Sequence, residues 1–208
     1  MIRDLGIKIE ESLSATPQVN ALCQTLSFHL KQIYSLKKFL SDSSLRTVIS
    51  AKFTSRLDYC NSMLYGVPAY DISRLQRLQN SAARLIYSVD RRQHITPVLK
   101  ELHWLPVEAR VKFKVAVLVC KAINRRSPAY IKELIKIYQP NRALRSASNG
   151  ILLSPPSSRT KIYGERRFSA AAPKVWNALP VHVRCAEDFR SFKSRLKTFF
   201  FVNYYGSS

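Results

Sequence analysis

Acidic residues are scarce in this chain: 13 Asp and Glu stand against 34 Lys and Arg. They come in pairs only at Glu10-Glu11 and Glu187-Asp188, beside expected element ends, where capping or solvated roles are the default. No Asp-Asp occurs, so the clustered carboxylates that two-metal phosphoryl transfer needs are missing. Glycine is also sparse, with five scattered singly, which leaves no material for a glycine-rich phosphate loop. The four cysteines, Cys23, Cys60, Cys120 and Cys185, form no C-x-x-C. The histidines (His29, His94, His103, His182) make no metal-ligand spacing with them. Reduced, buried cysteines in an intracellular protein, with no metal and no cofactor, are the expectation. No serine sits in a nucleophile elbow. His94 and His103 lie on opposed aspects of a short helix, as packing residues rather than a catalytic couple. No apolar run reaches the roughly 18–20 residues that span a bilayer. The opening MIRDLGIKIEE has no hydrophobic signal region. The chain therefore reads as no enzyme on its own, with no small-molecule substrate and no membrane span.

What is abundant is positive charge, a net of +21 over 208 residues with a globular 46% hydrophobic content. So positive a surface repels itself unless it meets a polyanion. Residues 1–120 hold 17 basic and 9 acidic residues, whereas 121–208 hold 17 and only 4. The excess concentrates in the second half.

Apolar periodicity predicts helices over most of the chain. Val19, Leu22, Leu26, Leu30, Ile33, Leu36 and Leu40 recur at three and four, giving a helix over 17–40. Ser41-Asp42 caps a second, with Leu45, Val48, Ile49, Phe53, Leu57, Cys60 and Leu64 inward, ended by Gly66 and Pro68. A third spans 70–88, with Arg74, Gln76, Arg77 and Arg84 outward. Residues 94–126 read as a short helix, a Trp104 corner and a long helix, with Thr96-Pro97 and Pro106 as start signals. On the long helix Val107, Val111, Val115, Leu118 and Ala122 form one apolar face, and Phe113, Ala116, Cys120 and Ile123 another. The strip between them carries Arg110, Lys114, Lys121 and Arg125 within roughly 60°. A nucleic-acid-facing ridge and a merely solvated face are both open for it.

Further helices are expected at 128–137, 168–180 and 187–201, the first with Ile131, Leu134 and Ile135 inward and the last with Arg190, Lys193, Arg195 and Lys197 outward. Leu5, Ile7 and Ile9 alternate with polar residues, predicting a short strand over 4–10 that needs a sheet to join. Residues 138–167 change character: prolines and glycines punctuate short apolar pieces, and ILLS with TKIYG could pair as a marginal hairpin. In or beside this segment lie Arg142, Arg145, Arg159, Lys161, Arg166 and Arg167, interleaved with Tyr138 and Tyr163. Arginine forks match phosphate oxygens and a neighbouring aromatic can stack on a base. A basic loop that only aids solubility is the alternative. Arg56 and Asp58 read as an ion pair.

The segments LGIKIEESLS, TSRLDYCNSMLYGVP, LQRLQNSAARLIY, HITPVLKELHWLPVEARVKFK, SPAYIKELI, ILLSPPSSRTKIYGERRFSAAAPKVWNALP and FKSRLKTFF follow in one order. Together they resemble the carboxy-terminal part of the reverse transcriptase of LINE-type, non-LTR retrotransposons. The resemblance covers nearly the whole chain. It implies a remnant palm strand at 1–10, a helical thumb-like bundle at 11–137 and a basic carboxy-terminal segment at 138–208, with the family's catalytic aspartates upstream. The fold class expected is mainly α, with a short N-terminal strand and a small irregular or β-hairpin segment near 150–166. The partner implied is RNA or an RNA–DNA duplex, with nuclear localisation expected from the family. Two alternatives stand beside this: a non-functional remnant of a decayed element, and a helical adaptor that binds an acidic partner.

Overall fold

The structure is a computed structural model; it describes residues 2–4, 6–9, 14–139, 151–156 and 164–206. These residues are mainly helical, and they divide into two compact units, 1–110 and 111–208. The division falls earlier than the composition change at 138, inside the long helix of the central stretch.

The first unit opens with two short strands, β1 (Ile2–Asp4) and β2 (Ile7–Ile9), paired antiparallel with Ile2 opposite Ile9. The strand expected over 4–10 is thus half of a hairpin, turned at Gly6, whose φ of 82° suits a residue without Cβ. Gln18 accepts a hydrogen bond from the Lys8 amide at 2.9 Å, tying β2 to the helix that follows.

That helix, α1 (Thr16–Leu36), buries Val19, Leu26 and Ile33. The next apolar set, Leu45, Ile49, Phe53 and Leu57, recurs every four residues, and all four are buried. In a regular α-helix such a repeat drifts about 40° per step off the core. The chain removes the drift by widening: α2 (Asp42–Ile49) passes through a π turn at Ser50–Thr54 into α3 (Ser55–Asp58), and the repeat stays on one face. Ser41 starts this run, its hydroxyl accepting from the Ser44 amide. The helix stops short of Cys60 and Leu64, since Cys60 is left-handed (φ 49°) and Asn61–Leu64 form a separate 3₁₀ turn.

α4 (Ala69–Tyr87) packs against α1, with Ala82 and Ala83 completely buried; small side chains permit that close approach. The two helices run parallel. Asn20 accepts from Arg74 at 2.6 Å and Asp71 from Thr16 at 3.2 Å near their starts, and Lys37 donates to Ser88 at 2.6 Å just past their ends. Gln76, expected on the outer side of this helix, is half-buried instead, accepting the Val107 amide at 2.9 Å. Gln79 donates to the Leu105 carbonyl at 2.9 Å. Two glutamines one turn apart therefore hold the corner between α5 (Thr96–Glu101) and α6 (Val107–Ile123).

In the second unit, Val111, Val115, Ala116, Val119, Cys120 and Ala122 of α6 are buried, consistent with two apolar faces. α7 is shorter than expected, Ala129–Glu133, and Leu134 is exposed rather than inward. Beyond it the chain extends, and Ile137 bridges Leu153 in antiparallel fashion. The ILLS piece thus pairs with residues 136–138; the TKIYG half of the expected hairpin, apart from Gly164, lies outside the described residues. α8 (Phe168–Asn177) includes Pro173 and ends before Pro180. α9 (Val181–Arg184) and α10 (Phe189–Tyr205) follow, and Trp176 stacks at a tilt on Phe192 with ring centres 5.6 Å apart.

Candidate nucleic-acid interface

The expected ridge on α6 is partly dismantled by the fold. The Arg110 side chain is only 13% exposed: it donates to the Asp58 carboxylate at 2.8 Å and to the Leu105 carbonyl at 2.9 Å, beneath the Trp104 ring. Arg110, rather than Arg56, is the partner of Asp58; Arg56 bonds the Lys52 carbonyl instead. Arg125 lies past the end of α6 in a left-handed conformation (φ 56°), out of line with the helix. Lys114 is exposed, and Lys121 lies over the Phe189 ring at 5.6 Å, with Lys193 on the same ring at 5.7 Å.

Of the basic-segment residues, Arg142, Arg145, Arg159, Lys161 and Tyr163 lie outside the described residues. Arg166 and Arg167 are described, half-buried and exposed respectively, at the start of α8. Arg190, Lys193, Arg195 and Lys197 are all exposed on α10. The Arg195 guanidinium also donates to the His182 carbonyl. Asp188 caps α10, its carboxylate accepting from the Arg190 and Ser191 amides and the Ser191 hydroxyl. The Ser191 hydrogen bonds hold its carboxyl below the usual carboxylate range.

The first unit holds a cationic surface of which helical periodicity showed one wall only, the outward Arg77 and Arg84 of α4. Along the C-terminal halves of α1 and α4 runs an open groove of about 820 Å³, floored by Leu30, Leu85 and Val89. Lys31, Lys37, Arg77, Arg84 and Arg91 line it, with Tyr34 at its edge, and none of its lining residues is acidic. Arg84 bonds the Asp90 carbonyl, which ties the following turn to α4. The sequence did carry a trace of this surface. Arg77, Ser81 and Arg84 stand four and three apart, a polar stripe within about 60° on α4. Only the parallel packing of α1 adds the facing lysines.

Burial raises the Cys120 and Cys23 thiols above their ordinary value, with Asn124 and Arg74, respectively, opposing the shift. Among the described residues no three His, Cys, Asp or Glu side chains cluster closely enough to hold a metal ion. Likewise, no helix among them is long and apolar enough to cross a membrane.

No family model matches this chain, and neither does any curated protein or solved structure.

Proposed function

We propose that this chain is a nucleic-acid-binding piece of a retroelement reverse transcriptase, its thumb and carboxy-terminal region, which holds template and primer and leaves polymerisation to residues outside it. The observation that carries the reading is the imbalance of charge. With 34 basic residues against 13 acidic, even complete pairing leaves most cations without an internal counter-ion. Cation–carboxylate pairs among the described residues include Arg74–Asp71, Arg110–Asp58 and Lys174–Glu165. The remaining positive charge is a ready counterpart for phosphates, which position a nucleic acid without specifying its sequence. The resemblance of the ordered segments from LGIKIEESLS to FKSRLKTFF is what supports the choice of family.

The test is a binding titration of the purified chain with an RNA–DNA hybrid across a range of salt concentrations, beside a thermal melt that establishes folding. Affinity is expected to fall linearly on a log–log plot, with a slope near −0.9 per phosphate neutralised on a duplex. A folded chain with no measurable affinity at low salt would overturn the reading.

A further inference from the structure

We infer that the groove between α1 and α4 is a track for a single strand of nucleic acid, with an unstacked base resting on Tyr34. The inference rests on the reading of the chain as a nucleic-acid binder and places a contact in the first unit, away from the basic segment. Three observations carry it.

The first is charge. Five cations line the groove and no carboxylate does. Some of this charge offsets the C-terminal ends of α1 and α4, which point the same way and carry about half a negative charge each. That accounts for roughly one charge of the five. The surplus is where an anion gains most.

The second is the availability of the donors. Lys31, Arg77 and Arg91 form no ion pair among the described residues, and all three are exposed. Arg77 and Arg84 lie about 10 Å apart along the α4 axis at 1.5 Å per residue. That span matches about three phosphates of a stacked strand at 3.4 Å each, and fewer of an extended one. The Lys37–Ser88 hydrogen bond and the Arg84–Asp90 hydrogen bond keep the two walls and the following turn in register.

The third is Tyr34, which is 72% exposed at the rim. A ring so exposed contributes little to the core. In a duplex the bases are stacked on each other, so a surface tyrosine meets only backbone. In a single strand each base has a free face, and stacking on an aromatic beside cations is the usual arrangement. A trough with cationic walls and an aromatic rim therefore fits one strand better than two.

The test uses fluorescence anisotropy with the full chain, a labelled 12-nucleotide RNA, the DNA of the same sequence and the matching RNA–DNA hybrid. R77E/R91E cuts the net charge lining the groove from +5 to +1, and K52E/K132E, at two exposed lysines away from the groove, the α6 ridge and the basic segment, makes the same charge change elsewhere. Circular dichroism and melting establish that each variant is folded. R77E/R91E is expected to weaken single-strand binding at least tenfold more than K52E/K132E, and to shallow the salt slope by about 0.7 for each phosphate no longer neutralised. Tyr34→Ala is expected to lose about five- to a hundredfold on single strands, with Tyr34→Phe restoring it and hybrid binding little changed. If the two charge-reversal pairs weaken binding equally, the groove is only part of a diffuse cationic surface and the inference falls. If Tyr34→Ala binds as the parent does, the base-stacking assignment falls. Should the parent chain bind none of the three probes, the proposed function itself is lost, an outcome separable from both.

Discussion

Asn177 holds Leu153 by both polar groups of its backbone: the Leu153 amide donates to Asn177 Oδ1 at 3.0 Å, and Asn177 Nδ2 donates to the Leu153 carbonyl at 2.8 Å. The side-chain amide stands in for a second neighbouring strand, on the edge of this extended stretch opposite the one that pairs with residues 136–138. Trp176 Nε1 and the Arg184 guanidinium both donate to the Ile151 carbonyl, at 2.8 and 3.1 Å. Three side chains of α8 and α9 thus clasp residues 151–153.

Asn177→Ala is expected to cost about 1–3 kcal/mol, two hydrogen bonds to a partly buried backbone. Urea denaturation reads the loss, and hydrogen exchange at the Leu153 amide should accelerate in the variant. Unchanged exchange there would mean that the clasp does not order the segment.

Arg110→Ala should behave as a stability mutation, not a binding one. It removes a carboxylate partner, a carbonyl partner and the stacking against Trp104. Because Asp58 is 41% exposed and water screens that pair, the expected loss is about 1–2 kcal/mol, mostly from the Leu105 hydrogen bond and packing. The salt slope for RNA–DNA hybrid should not move. A slope shallower by the equivalent of one phosphate would return Arg110 to the binding surface.

Charge reversal at Arg142, Arg145, Arg166 and Arg167 should shallow the hybrid salt slope by up to about 0.9 for each phosphate left without its cation. An unchanged slope would exclude the basic segment as the duplex-binding surface while leaving the α1–α4 groove open.

The Asp188 cap makes the start of α10 sensitive to acid. Its folded carboxyl lies below the usual carboxylate range because Ser191 hydrogen-bonds the charged form. The associated stability is complete above the unfolded carboxyl's titration and disappears as pH falls through the folded one. The melting-temperature gap between the parent and Asp188→Ala should therefore be full at neutral pH and shrink in strong acid. A gap independent of pH would show that the charge contributes nothing.

Thiol reactivity should follow burial. Cys185 is exposed, whereas Cys120 is buried and its thiol pushed up by desolvation, so it carries less thiolate at neutral pH. Timed alkylation with mass spectrometry should label Cys185 first and Cys120 only on unfolding. Early labelling of Cys120 would indicate that the second unit opens readily.

Much of the helical framework was legible because apolar spacing records burial directly. Val19, Leu26 and Ile33 on α1 and the two faces of α6 needed no tertiary knowledge. Cys60 was less legible: its spacing continues the helix, yet the backbone turns left-handed there, and no glycine or proline marks the turn until Gly66. Gln76 was misplaced for a similar reason. A polar residue on a helix reads as outward unless another element brings it a buried amide, and here α6 supplies the Val107 N–H.

By itself the sequence determined the helical class, the cationic excess and the lack of any Asp-Asp pair, since composition and period follow from the order of residues alone. Tertiary structure decided which cations are spent internally and which face outward. Arg110 turns in to Asp58 because α3 ends beside it, and Lys31 and Lys37 meet Arg77 and Arg84 because α1 and α4 pack in parallel. Charge is a property of a residue, but an electrostatic surface is a property of neighbours, and neighbours far apart in the chain exist only after folding.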